Sequence, residues 1–272
     1  MANNTGTRTL VALIAIPFIL GVCYYGKIPF LIFTLLIGLV ANLEFTKMTA
    51  TKGTFGNTIL SSIMILVLIL NTYYNYFDLY SLLIVFSVSA LFYELFRNKA
   101  SAINNLGATF LGVLYIGLFS SSILGIREFY KNPLEYDQGG FIVIAILFTI
   151  WICDSAAYFL GLAYGKHRLF LRVSPKKSWE GAIAGFVFSI LTMIAAKVII
   201  LDFLNWIDII AIGLIVGVIG QVGDLIESLI KRDAGVKDSS AIIPGHGGIF
   251  DRFDSLLFTA PFVYLYLSYL TV

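Results

Sequence analysis

Charge is scarce in this chain. Asp, Glu, Lys and Arg make up 12% of its 272 residues, against about 25% in a soluble globular domain. With 59% hydrophobic residues and a mean hydropathy of +0.91, an ordinary water-soluble domain is excluded. There are two cysteines, Cys23 and Cys153, each inside an apolar run and far apart in sequence, which argues against a disulfide framework or a zinc site. The two histidines, His167 and His246, fall in different loops, so His246 reads as a hydrogen-bonding group rather than a metal ligand. Alternating strand patterns, low-complexity linkers and an appended soluble domain are also missing. Arg8 precedes an apolar run, but no small-x-small cleavage pattern follows it cleanly. Leu20-Gly21-Val22-Cys23 fits a lipoprotein box poorly because of its valine. The first helix is therefore expected to be retained.

What is present is a series of long apolar runs. A helix needs about 20 apolar residues to cross the hydrocarbon core of a bilayer. Nine segments qualify or nearly do: 9–25, 28–45, 58–76, 79–96, 106–126, 141–163, 182–201, 206–230 and 255–271. Only helices or closed barrels span lipid, and continuous runs of this length mean helices. The expected fold is an all-α polytopic membrane protein of about nine transmembrane helices. Placing the N-terminus in the cytoplasm and the C-terminus outside puts 14 of the 18 basic residues on the inner side and leaves Lys27, Arg127, Lys131 and Lys197 outside, as the positive-inside bias requires. Residues 1–272 read as a single membrane-embedded domain, with N-terminal helices over 1–140 and a catalytic portion over 141–272. The endings Asn42-Leu43-Glu44-Phe45 and Tyr93-Glu94-Leu95-Phe96 hint faintly at internal duplication.

The few charges are not spread evenly. Residues 224–254 hold ten of the 34. Charge at a membrane face is costly and usually functional. Asp224, Glu227, Ser228 and Lys231 are spaced i, i+3, i+4 and i+7, which places them on one helix face. Lys237 and Asp238 follow, then Pro244-Gly245-His246-Gly247-Gly248 and Asp251-Arg252-Phe253-Asp254. Gly245, Gly247 and Gly248 permit positive φ and close backbone approach, so their amides can cradle an anion. A second cluster spans Asp154, inside a helix, and the loop Ser174-Pro175-Lys176-Lys177-Ser178-Trp179-Glu180-Gly181. Taken alone, its basic run would be a positive-inside anchor and Trp179 an interfacial aromatic. An intramembrane carboxylate such as Asp154, however, usually faces a cavity or a partner. Together the clusters put carboxylates, cations and a glycine loop at the headgroup plane. That combination suits a lipid meeting a metal–polyphosphate, since magnesium favours a few carboxylates with phosphate oxygens.

The runs from Ser228 to Asp238 and from Ile243 to Asp254, with Asp154 to Tyr158 and Ser174 to Gly181, resemble the signature of phosphatidate cytidylyltransferases, the CDP-diacylglycerol synthases. The resemblance implies transfer of the cytidylyl group of CTP to phosphatidic acid in the membrane, giving CDP-diacylglycerol and pyrophosphate. It implies Mg2+, with a second cation such as K+, a homodimer in the cytoplasmic membrane with its active site on the cytoplasmic side, and no nucleic acid partner. On this reading Asp224 and Asp251 hold the metals, and Asp154, Asp238 and Asp254 are either further metal contacts or orienters of the cations. Lys176, Lys231, Arg232 and Arg252 offset phosphate charge. Ser174, Lys177, Ser178, Lys237, Gly245, His246, Gly247 and Gly248 bind substrate. Two rivals stand beside it. One is a cation-coupled transporter, disfavoured because the charges crowd one face and not the midplane. The other is a related CTP-dependent lipid enzyme with another acceptor.

Overall fold

Polar side chains punctuate the apolar runs. Asn57 Oδ1 accepts a hydrogen bond from Leu60 N at 3.0 Å, Asp78 Oδ2 from Ser81 N at 2.9 Å and Asn205 Oδ1 from Asp208 N at 2.9 Å. Ser101 and Ser178 do the same at two further helix starts. Each cap satisfies an N–H that the first helical turn leaves unpaired. The computed structural model describes residues 2–243 and 247–270, the side chains of residues 2–8 and 10 excepted.

Nine helices lie among the described residues: α1 Ala2–Tyr25, α2 Lys27–Ala50, α3 Thr58–Tyr74, α4 Leu79–Phe96, α5 Ala102–Arg127, α6 Tyr136–Tyr164, α7 Trp179–Ile199, α8 Trp206–Asp233 and α9 Phe250–Tyr269. They correspond one to one with the apolar runs of the sequence. Six of them (α2, α4, α5, α6, α7 and α8) are long and apolar enough to cross a membrane. Val11–Tyr25 and Thr58–Tyr74 are apolar but shorter. Two helices widen locally to π-helix, α5 at Gly112–Gly117 and α8 at Val216–Gly220, a departure often found at functional positions.

One feature departs from the all-α expectation. Residues 168–178, read as a plain loop, form a hairpin in which β1 (Arg168–Phe170) pairs antiparallel with β2 (Ser174–Ser178). Strands this short display no alternation for a sequence pattern to reveal.

The chain divides into two compact units that interleave in sequence: Met1–Val22, Lys27–Gly125 and Lys231–Phe253 form the first, and Cys23–Gly26, Ile126–Ile230 and Asp254–Val272 the second. In the first unit Met64, Leu68, Phe86, Ala90 and Val113 make a buried cluster. Beside it Asn42 Nδ2 donates to Ser61 Oγ and Ser62 Oγ, both at 2.9 Å. In the second unit α6 and α7 approach closely through glycine: a Cβ on Gly181 would lie 2.6 Å from Ala157 O. Arg127 is fully buried there. Its guanidinium donates to Cys23 O at 2.6 Å, Tyr24 O at 2.7 Å and Tyr136 O at 3.0 Å. A cation that satisfies the last carbonyls of α1 stabilises a helix end both by hydrogen bonding and by the helix dipole.

Candidate active site

The second unit contains a group of three carboxylates. Asp224 and Glu227, one turn apart on α8, and Asp254 on α9 bring a ligand oxygen each to within 4.8 Å of one another. Glycine makes this possible, because a Cβ on Gly223 would lie 2.5 Å from Phe258 Cβ and 3.2 Å from Asp254 O. The π-helical turn before Gln221 sets the face that α8 presents. Gln221 Nε2 holds that segment by donating to Ala182 O at 3.1 Å and Gly217 O at 2.6 Å. Glu227 is fully buried. Lys177, on β2, forms an ion pair with Asp224, and Ser228 Oγ donates to Asp224 Oδ1 at 3.4 Å. Three carboxylates in so small a space repel one another unless cations join them. As a hard, all-oxygen donor set they fit Mg2+.

Lys177 links the second cluster of the sequence to this group. Ser178 is buried as the cap of α7, while Lys176 is exposed and Ser174 partly so. Asp154 is an exposed residue of α6 and is not one of the three grouped carboxylates.

The first unit contains the chain that links α8 to α9. Gly235, with φ of +76°, lets the backbone turn out of α8, and Thr51 Oγ1 holds the turn by donating to Ala234 O at 2.9 Å. Asp251 then anchors the loop from the first turn of α9. It accepts from Lys231 Nζ at 2.8 Å, from Ser239 N and Ser239 Oγ, both at 2.9 Å, and from Gly248 N at 2.8 Å. Gly247 takes φ of +83°, and its carbonyl accepts from Ile243 N at 2.9 Å. Gly248 has no room for a side chain, since a Cβ would lie 2.1 Å from Ser239 Oγ. Lys237, Asp238 and Arg252 are exposed. Arg232, exposed as well, donates to Val236 O at 3.1 Å. Gly245 and His246, named above as substrate-binding, lie outside the described residues.

Two carboxylates were not singled out for the site by sequence. Glu227 carried a signal in its helical spacing from Asp224. Glu44 carried none beyond being an acid in an apolar helix. It is 1% exposed and accepts from Ser240 Oγ at 2.6 Å, Ser239 Oγ at 3.0 Å, Ile249 N at 3.0 Å and Phe250 N at 2.8 Å. From α2 it therefore fixes both ends of the loop at 239–250. Glu94, its counterpart in the similar helix ending, accepts instead from Asn105 Nδ2 at 2.7 Å.

Apolar helices of membrane-crossing length that carry a carboxylate group, with a lysine drawn onto it, define a membrane-embedded helical protein with a polar site. The chain belongs to the cytidylyltransferase family, whose model matches residues 6–270. It is similar to the phosphatidate cytidylyltransferase of Bacillus subtilis, 32% identical over 266 residues that cover 96% of this chain and 97% of the relative. The Staphylococcus haemolyticus protein of the same name is 33% identical, covering 93% and 95% of the two chains. That of Staphylococcus saprophyticus is 32% identical with the same coverage. The chain is a nucleotidyltransferase, an integral membrane enzyme of phospholipid biosynthesis.

Proposed function

We propose that the enzyme transfers the cytidylyl group of CTP to phosphatidic acid, forming CDP-diacylglycerol and releasing pyrophosphate. The observation that carries this reading on the structural side is the group of Asp224, Glu227 and Asp254 with Lys177 bound to it. Relatives named for this activity over almost their whole length support it. Asp224, Glu227 and Asp254 are the proposed holders of Mg2+, with K+ as a candidate second cation. Bound there, the metal would supply charge neutralisation to a polyphosphate.

The chain's own residues do the rest. A lipid phosphate monoester has a second pKa near about 6 and is largely dianionic at neutral pH, so no strong general base is required. One of its oxygens forms a bond to the α phosphorus of CTP, and the bond from that phosphorus to the oxygen bridging it to the β phosphorus breaks, that oxygen leaving with pyrophosphate. The barrier comes mainly from bringing two anions together, and positioned cations lower it. Lys177, Lys176, Lys231, Arg232, Lys237 and Arg252 are assigned to that task, with Ser174 and Ser178 beside them and Gly245 and Gly247 as the proposed amide donors to phosphate, the Gly248 amide being held by Asp251. Asp251, expected from sequence to hold metal, is read here as the anchor of the glycine loop, because its oxygens already accept from Lys231, Ser239 and Gly248. Asp154 and Asp238 remain candidate orienters of the cations.

Nine crossings, a cytoplasmic N-terminus, an outer C-terminus and an active site on the cytoplasmic side complete the proposal, supported by the 14 of 18 basic residues that this topology places inside. A homodimer is proposed with it. The test is direct: purified protein in lipid nanodiscs receives CTP labelled in the cytosine, phosphatidic acid and Mg2+. Label passing into the lipid phase with equimolar pyrophosphate is expected. If no lipid-soluble label forms with phosphatidic acid while another lipid phosphate accepts it, the acceptor assigned here is wrong.

A further inference from the structure

Apart from Lys176 and Lys177, the hairpin of β1 and β2 has features that the transfer reaction does not use. Residues 166–178 hold five cations, Lys166, Arg168, Arg172, Lys176 and Lys177, and no acid. Lys177 turns to Asp224, whereas Lys166, Arg168, Arg172 and Lys176 are exposed. At the tip Val173 points inward and is 2% exposed, while Phe170 and Leu171 point outward at 51% and 70%. Large apolar side chains displayed among arginines form an amphipathic surface, a composition that suits the boundary between headgroups and acyl chains.

The hairpin is also firmly held. Glu180 accepts from Lys166 N at 3.1 Å and His167 N at 3.2 Å and meets His167 Nδ1 at 2.6 Å. Trp179 N donates to His167 O at 2.9 Å, and Ser178 caps α7. The hairpin therefore cannot swing freely about the ends of α6 and α7. Both of those helices have membrane-crossing length, so their shared end, with the exposed ring of Trp179 beside it, lies where interfacial aromatics collect.

We propose that this hairpin is a docking surface for the anionic headgroup layer of the enzyme's own membrane. Phe170 and Leu171 insert below the phosphates, and Arg168 and Arg172 pair with anionic lipid. Its second strand carries Lys177, so lipid contact at the tip and the carboxylate group are joined by one short β-ribbon. Charge complementarity selects this occupant: four exposed cations around an apolar tip match a negatively charged, oily boundary, and juxtamembrane basic clusters are drawn to anionic lipid. The inference rests on reading α6 and α7 as crossing the membrane.

The test uses full-length protein in nanodiscs of phosphatidylcholine with or without phosphatidylglycerol. The substitution Phe170→Trp adds an indole whose emission is taken as the difference from wild type. Brominated acyl chains should quench that emission in discs containing phosphatidylglycerol, and iodide in the water should not. Removing phosphatidylglycerol, or adding Arg168→Gln with Arg172→Gln, should reduce the quenching by about twofold or more. Quenching by iodide alone would overturn the proposal. So would protection from both quenchers seen only in discs that hold two copies, which would make the tip a contact between protomers. Cytidylyl transfer by wild type in the same discs separates the two readings. Transfer with an unquenched tip defeats only the hairpin, and a quenched tip without transfer defeats only the proposed reaction.

Discussion

Lys231 Nζ donates to Asp251 Oδ1 at 2.8 Å, with side chains 12% and 4% exposed. The pair joins the end of α8 to the start of α9, so the loop between them is closed by an ion pair largely removed from water. A buried pair of this kind adds modest net stability, but breaking it from one side leaves an uncompensated charge at a cost of about 3–5 kcal/mol. Lys231→Met and Asp251→Asn should therefore each lower the unfolding midpoint strongly in detergent. The double substitution should recover a large part of the loss, because neither charge is then stranded. Additive losses in the thermal midpoint would show that the two groups do not depend on each other.

The carboxylate group makes a different prediction. Asp224→Asn, Glu227→Gln and Asp254→Asn should each depress transfer on the order of 100-fold or more, the scale for losing one charge-stabilising group. Chelation should abolish turnover, and added Mg2+ should restore it. Binding can be followed without turnover by the electron paramagnetic resonance of Mn2+ added to each variant. Weakened Mn2+ binding in all three is expected. Wild-type binding in any one of them removes that residue from the set.

Lys177 sits on the same group, and its side chain and that of Asp224 are 32% and 30% exposed. A cation beside a cation site opposes metal binding and favours the arrival of polyphosphate. Lys177→Met should thus tighten Mn2+ binding while lowering kcat/KM for CTP by about 100-fold. If metal affinity and kcat/KM both fell, Lys177 would instead be needed to shape the carboxylate group.

Much of this was legible in the sequence, and the rest was hidden for identifiable reasons. The apolar runs mark all nine helices, because nothing else in so apolar a chain competes with helix formation. Asp224 stands out in the sequence by its place near the end of α8 and Lys177 by its basic loop, and the fold brings the two together as an ion pair. The π-helical turns were invisible, since no side-chain pattern distinguishes an i→i+5 bond from an i→i+4 bond. The hairpin was hidden by its shortness. Asp251 shows the limit most clearly. Its residue type suits a metal ligand, but which donors reach a carboxylate depends on the fold of the loop, and here Ser239, Gly248 and Lys231 reach it. Glu44 lies 195 residues from Ser239 in sequence, and no local pattern could have paired them.

Glu44 also yields the sharpest test of the loop. Its Oε1 accepts from Ser240 Oγ and Ile249 N, and its Oε2 from Ser239 Oγ and Phe250 N. In Glu44→Gln one of these oxygens becomes an NH2 group. A serine hydroxyl can rotate and accept from it, but a backbone N–H cannot, so either Ile249 N or Phe250 N must lose its acceptor. A buried donor left without an acceptor costs about 1–3 kcal/mol, and here that cost falls on the segment carrying Gly247 and Gly248. If the loop presents amides to CTP, the variant should stay folded, with kcat nearly preserved and KM for CTP raised by about tenfold. Glu44→Ala, which removes both acceptors and leaves a cavity, should fold poorly or not at all. The comparison is decided by steady-state kinetics beside a thermal melt of the same Glu44→Gln sample. A lowered melting point with an unchanged KM would mean that Glu44 supports packing and leaves the substrate loop as it was.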